Sequence, residues 1–328
     1  MLRMNGDAHN QRNLAPARRA NAQRKSQRAF TVLELLVAIA VIGLLAALLL
    51  PALMAAREAG RRTTCSNRLR QIGTAFQLHH DRMGALPTAW RQANADARFA
   101  FGWTMQILPD LEQANLAHQF SPSARPAAAS VEQLAELPEL LCPSDITEPF
   151  FDLWKASETE APPTPRLTAA EASDHDDAQT GAPLIRLPTA NYQGVFGTSE
   201  ADEAYEPIAA ANPAFGEGVI VHNRRVRWAD LERGLSNTLL VGERTMAMVP
   251  STWLGVDLRG EDATCRLVGS AITHPNCVGC DECEFSSRHA GGSAFAWADG
   301  HVTLVNEEID ATAYRLLAQR EESEPEAR

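Results

Sequence analysis

Residues 30–50 read FTVLELLVAIAVIGLLAALLL, and residues 35–56 carry no charged side chain. As a helix this run is long enough to cross a hydrocarbon core of about 30 Å. A single segment in lipid must satisfy its own backbone polar groups, so helix is the only conformation open to it. A core helix of a globular domain rarely stays apolar for about six turns. Seven basic residues precede the run, Arg3, Arg12, Arg18, Arg19, Arg24, Lys25 and Arg28, against the single acid Asp7. That bias keeps the leader in the cytoplasm and exports the chain beyond the span. A secretory signal would end in small residues, and Ala52, Ala55 and Ala56 have the size for it. Glu34 argues otherwise, because an acid at mid-membrane costs about 2.5–3.5 kcal/mol by insertion scales and needs a reason.

A basic leader, Phe30-Thr31-x-x-Glu34 and a membrane-length apolar helix together resemble the N-terminus of type IV pilins and type II secretion pseudopilins. The resemblance implies cleavage by a prepilin peptidase between Ala29 and Phe30, and methylation of the new Phe30 amine. It implies that Glu34, fifth in the processed chain, pairs with the Phe30 amine of a neighbouring subunit, so that its charge is compensated on assembly. Pro51 fits the same pattern and is expected to kink the helix. Ala29 departs from it, since Gly usually precedes the cut; slower processing is the expected consequence.

Taking the leader's seven basic residues and one acid from totals of 30 and 41 leaves 23 and 40, a formal charge of −17. No basic stripe remains for nucleic acid. No calcium-loop spacing of the D-x-D-x-D-G type is present. Beyond the span, Leu69, Ile72, Phe76 and His79 or His80 recur at helical period, so the helix is expected to continue to residues 81–84, before Pro87. Residues 100–120 read as a short helical pair around Pro109, and residues 141–145 as a turn. Residues 149–188 are rich in Pro, Ala and acids and read as a mobile loop; Asp174-His175-Asp176-Asp177 within it reads as solvated acid rather than a metal site. Short β-like runs come next, at 191–196, 218–222, 238–241, 293–298 and 301–305. The order gives an α+β class: a long N-terminal transmembrane and amphipathic α-helix packed on an antiparallel β-sheet head. The expected division is a cleaved leader (1–29), a transmembrane helix (30–56), its exported continuation (57–84), a head (85–310) and an acidic C-terminal tail (311–328).

Asp299-Gly300 between two apolar runs signals a hairpin, and Gly291-Gly292 signals a turn upstream. His289, nine residues and Asp299-Gly300 form an H-x9-D-G pattern. It resembles the C-terminal motif of a large bacterial family of pilin-like proteins of unknown function. Further segments resemble that family: Cys65-Ser66-Asn67 with Gln71-Ile72-Gly73; Trp103 with Leu108-Pro109 and Leu111-Glu112-Gln113; Cys142-Pro143-Ser144-Asp145; Asn191-Tyr192; and Ser236-Asn237-Thr238-Leu239 with Val241-Gly242-Glu243. From the residues alone, His289 and Asp299 could be a general base or metal ligands. The favoured reading is structural: Asp299 makes the turn, and His289 bonds a backbone carbonyl or Asp299 itself. His79-His80-Asp81 offers at most one His to a site with Asp81, because adjacent helical side chains diverge. Cys65, Cys142, Cys265, Cys277, Cys280 and Cys283 are even in number and exported, which favours disulfides. The family motifs imply that Cys65 pairs with Cys142. Cys265 with Cys277, Cys280 and Cys283 could instead form a four-thiolate zinc site, although the spacing crowds three ligands.

These readings converge on a non-enzymatic, pseudopilin-like subunit. It would be anchored single-pass in the inner membrane, N-terminus inside and head in the periplasm. Its expected partners are the prepilin peptidase and other pilin-like subunits, and no cofactor or metal is assigned. The alternative is a membrane-tethered binding protein that never polymerises.

Overall fold

The computed structural model describes residues 31–93, 97–120, 125–127, 131, 134, 137–145, 148–156, 182–202 and 215–321. The cleavage pair Ala29 and Phe30 and the acidic cluster at 174–177 lie outside them. The chain divides into two compact units, residues 1–54 and 55–328.

The first unit holds the start of helix α1 (Val32–Met83), which runs through Pro51. Its first turn is closed by a reciprocal cap. Thr31 N and Oγ1 donate to Glu34 Oε2 at 2.9 and 2.8 Å, and Glu34 N donates back to Thr31 Oγ1 at 3.2 Å. This is a capping box, which satisfies backbone donors that a helix start leaves orphaned. Val32, Leu36, Leu44, Leu48 and Met54 are all exposed. The helix is long and apolar enough to cross a membrane.

In the second unit α1 buries Cys65, Leu69, Ile72, Ala75, Phe76 and His79 along one stripe, the face its periodicity predicts. Of the two adjacent histidines, His79 is the buried one. The helix stops at Gly84, whose φ of 68° and N–H bond to His80 O at 2.7 Å end it in a left-handed residue. The strands are β1 (Trp90–Gln92), β2 (Phe99–Gly102), β3 (Phe150–Leu153), β4 (Ile185–Ala190), β5 (Tyr192–Gly197), β6 (Leu239–Glu243), β7 (Ser251–Thr252), β8 (Gly255–Asp257), β9 (Val268–Ser270), β10 (Gly292–Trp297) and β11 (Val302–Asn306). They form a five-stranded sheet ordered β11-β10-β6-β5-β9, antiparallel except for β5–β9, and two three-stranded sheets, β1-β2-β8 and β3-β4-β7. The short helices α2 (Trp103–Ile107) and α3 (Ala114–Ala117), joined through a 3-10 turn at Leu108–Leu111, are the pair expected around Pro109.

The large sheet is covered on both faces, and β10 shows how. Ala294 and Ala296, with Ala298 just beyond, share an apolar cluster with Leu69, Ile72 and Phe76 of α1. Phe295 and Trp297 point the other way, into a second cluster with Phe285 and Tyr314. Small residues face the helix because it comes close: a Cβ on Gly73 would sit 3.6 Å from Gly300 Cα.

Three expectations need correction. Residues 311–328 do not begin as a tail, because Ala311–Ala318 form helix α4, capped by Asp310 and burying Tyr314 and Ala318. The charge of the segment hid a short amphipathic stretch. Residues 149–188 are not a loop throughout: β3 and β4 pair antiparallel across their ends, with Leu153 and Leu187 fully buried, and residues 157–181 lie outside the described set. Residues 218–222 form no strand. Gly218 and Val219 instead bond Phe196 O and Val195 O, and a Cβ on Gly218 would lie 2.5 Å from the Phe196 carbonyl carbon, so the chain turns tightly against β5. The hairpin at Asp299-Gly300 is present, with Ala296 opposite Val302. Only Gly300, at φ 91°, takes the left-handed conformation.

His222 stacks on Trp90 at 4.5 Å and lies 5.3 Å from Phe215. Burial pushes its pKa down to about 4. The unfolded chain, with His near 6.5, therefore binds more protons in between, so stability falls as pH drops from about 6.5 to 4, by about 3 kcal/mol in all. His222→Phe is expected to flatten that part of the acid limb in denaturant titrations at stepped pH. An acid limb unchanged by the substitution would contradict this.

Candidate functional site

Four motif segments meet beneath α1. Cys65 comes from the helix, Cys142 from the 141–145 turn, Glu243 from the end of β6 and His289 from the turn before β10; all four are buried. Each arrives for a local reason. Cys65 lies on the buried stripe, one turn before Leu69. Cys142 is set by Asn191, whose Oδ1 accepts from Cys142 N at 2.8 Å while its Nδ2 donates to Asp145 Oδ2 at 2.8 Å. Asp145 also accepts from Met246 N at 2.8 Å and pairs with Arg288 at 3.2 Å. The Cys-Pro-Ser-Asp turn is thus laced to the residue that joins β4 to β5 and to the segments after β6 and before β10.

The donor atoms converge. Cys65 Sγ and Cys142 Sγ are 3.0 Å apart. His289 Nε2 lies 3.3 Å from Cys65 Sγ, 3.6 Å from Cys142 Sγ and 3.6 Å from Glu243 Oε1. On its other side His289 Nδ1 is 2.6 Å from Oε1 of Glu58, a residue about two helical turns before Cys65 on α1. Ser287 Oγ donates to Glu243 Oε2 at 2.8 Å. Burial holds the Glu243 carboxyl well above the usual range. The bond between the two thiols, with burial, pushes Cys142 up to about 12; the same bond lowers Cys65, against burial, which would raise it. For His289 burial works against protonation, but Cys142, Glu243 and Glu58 outweigh it and lift the pKa to about 9. Burial raises Glu58 too, yet its bonds to His289 and Arg61 bring it down to about 2.

Several site residues fall differently from expectation. His289 does not pin the hairpin through Asp299 or a carbonyl; its ring sits between Glu58 and the thiols. Asp299 serves its own turn, taking His301 N at 3.0 Å, His301 Nδ1 at 2.5 Å and Ser236 Oγ at 2.7 Å. Cys65 and Cys142 are brought together, but as free thiols rather than the implied disulfide. Cys265–Cys283 and Cys277–Cys280 are disulfides, with Cα separations of 5.0 and 5.6 Å, so these four make no shared thiolate site. His79 turns to Gln106 O at 3.1 Å, whereas His80 packs against Trp228 at 5.3 Å, so the pair diverges. Sequence reasoning missed Glu58 and Glu243 as site residues. Glu243 had left a signal, since an acid closing a fully apolar strand must find a partner when buried.

The profile of a family described as a protein of unknown function, DUF1559, matches residues 54–312. The prokaryotic N-terminal methylation motif matches residues 24–50. No curated protein and no solved structure matches the chain.

Proposed function

The chain belongs to the DUF1559 family and carries a prepilin-type methylation motif, and from that premise we propose that it is a structural, non-enzymatic subunit of a type II secretion or type IV pilus-related filament. The observation that carries the reading is the motif at 24–50 set on an apolar helix that begins at Val32. The basic leader stays in the cytoplasm, and the acidic head is exported to the periplasm. A prepilin peptidase removes residues 1–29 and methylates Phe30. The apolar helix holds the subunit in the inner membrane, then packs against the helices of other pilin-like subunits. Mass spectrometry of the membrane-extracted protein is expected to show N-methylated Phe30 at the terminus. An intact leader, or a terminus after Ala52 or Ala56, would remove the filament reading and leave a tethered or secreted protein.

Glu34 has a local duty that any assembly role must be separated from. It closes the capping box with Thr31. Gln keeps that cap but not the charge. Glu34→Gln is therefore expected to insert in the membrane as well as the parent, or better, while its recovery in sheared filament fractions falls sharply. Normal recovery would show that the carboxylate's charge does not serve assembly.

A further inference from the structure

We propose that Cys65, Cys142, Glu243 and His289 form a closed structural zinc site that fastens α1 to the sheet of the head. Four donors of three chemistries, two thiols, a carboxylate and an imidazole, have ligand atoms all within 4.8 Å of one another. Bond lengths of about 2.0–2.3 Å place the ligand atoms of a tetrahedral zinc roughly 3.3–3.8 Å apart. The separations from His289 Nε2 to Cys65, Cys142 and Glu243, 3.3, 3.6 and 3.6 Å, fall in that span. The sulfurs are 3.0 Å apart, about 0.8 Å closer than two thiolates on a tetrahedral zinc, so the two side chains would have to part by that much to take an ion. Two thiolates with an imidazole and a carboxylate select zinc over magnesium or calcium, which take oxygen ligands.

The surroundings are those of a ligand set. His289 offers Nε2 to the cluster while Nδ1–H is held by Glu58 at 2.6 Å. A carboxylate on the far nitrogen fixes the tautomer and ring orientation of a metal-bound histidine. Glu243 is 1 % exposed, and the neighbours of its carboxylate are the Ser287 hydroxyl, His289 and Cys142. A disulfide between Cys65 and Cys142 would use two of the four groups and leave that buried carboxylate as it was. A dication uses all four. Binding exchanges the protons carried by the ligands for one Zn2+, with no change of oxidation state, so the thiol protons leave to solvent. The site would clamp the helix at Cys65 to the 141–145 turn, β6 and the turn before β10, three segments far apart in the chain.

The test uses the full chain, extracted in detergent without chelator or reductant. Elemental analysis is expected to find one zinc per chain. Thiol labelling after denaturation in chelator is expected to find Cys65 and Cys142 reduced and the other four cysteines oxidised. Replacing zinc by Co2+ should give the visible bands and thiolate charge-transfer absorption of a tetrahedral thiolate site, a signature that needs no mutant. Glu58→Gln, which touches no ligand atom of the ion, is expected to weaken zinc binding about 10–100-fold. Cys65→Ser and His289→Ala are expected to lose the metal. A peptide map showing a Cys65–Cys142 disulfide in the metal-free chain overturns the proposal, as do free thiols without zinc. Zinc that survives both Cys65→Ser and His289→Ala overturns it too, because the ion would then sit elsewhere. If those variants fail to fold, the cobalt spectrum of the parent chain decides: no thiolate absorption means no such site.

Discussion

Arg244→Met is expected to be among the most destabilising single changes in the head, costing about 3–5 kcal/mol. The guanidinium is fully buried. It donates to Ser251 Oγ at 2.7 and 3.0 Å, to Cys265 O, and to the carbonyls of Val268, Cys283 and Glu282 at 3.3–3.4 Å. Met fills much of the volume but donates nothing. Each carbonyl left unpaired costs about 1–3 kcal/mol, partly offset because a buried charge no longer has to be desolvated. Against a total of about 5–15 kcal/mol for a typical domain, such a loss puts folding at risk. Lys is not expected to rescue, since a point charge cannot reproduce a planar fork reaching several acceptors. Denaturant unfolding of Arg244→Met and Arg244→Lys measures both effects, and a midpoint unchanged in the Met variant would refute the argument. Arg244 also comes directly after Glu243 and gathers the segment closed by Cys265–Cys283. Its loss should therefore loosen the carboxylate that faces His289.

How much the sequence revealed depends on the range of the forces involved. The helix stripe at Leu69, Ile72, Phe76 and His79 was legible because helical burial repeats every three to four residues. The strands β5, β6, β10 and β11 were legible because their runs are apolar and the Asp299-Gly300 turn between two of them is local chemistry. Helix α4 was not legible. Its worth lies in Tyr314 meeting Phe295 on the face of the sheet turned away from α1, at 6.1 Å, a contact no local pattern encodes. Strands β3 and β4 were hidden because Pro149 and Pro188 flank or enter them, and because each finds its partner across the acidic stretch between. The site was half legible. Cys65, Cys142 and His289 stood out as residue types, and Cys65 and Cys142 do meet. That His289 joins them, with Glu58 behind and Glu243 beside it, depends on segments up to 231 positions apart closing on one point. Spacing along a chain does not carry that information; it ties His289 only to the hairpin nearest to it in sequence.

The turn that delivers His289 supplies the second large effect, expected at Gly292. Gly292→Ala should cost more than about 4 kcal/mol, the range reserved for changes the structure cannot absorb. Gly292 opens β10 opposite Asn306, at φ 145°. An added Cβ would fall inside the van der Waals sphere of the Val305 carbonyl oxygen, 2.8 Å from its carbon and 3.0 Å from Asn306 Cα. These are backbone atoms of β11, so relief means parting the hairpin rather than turning a side chain. Its neighbour Gly291 provides the control. It also has a positive φ, 94°, but a Cβ there meets nothing nearer than Leu304 Cδ2 at 3.8 Å. Gly291→Ala then carries conformational strain alone, of order 1–3 kcal/mol. Gly300→Val belongs with Gly291, since φ is 91° and nothing lies within 4 Å of its Cβ position. Thermal unfolding of the three variants should rank Gly292→Ala far below the other two. Equal losses would mean that backbone conformation, and not the closeness of β11, is what requires glycine at 292. Because His289 sits three residues upstream, Gly292→Ala should also displace the imidazole from Glu58 and the thiols, whereas Gly300→Val, at the far end of β10, should leave them in place.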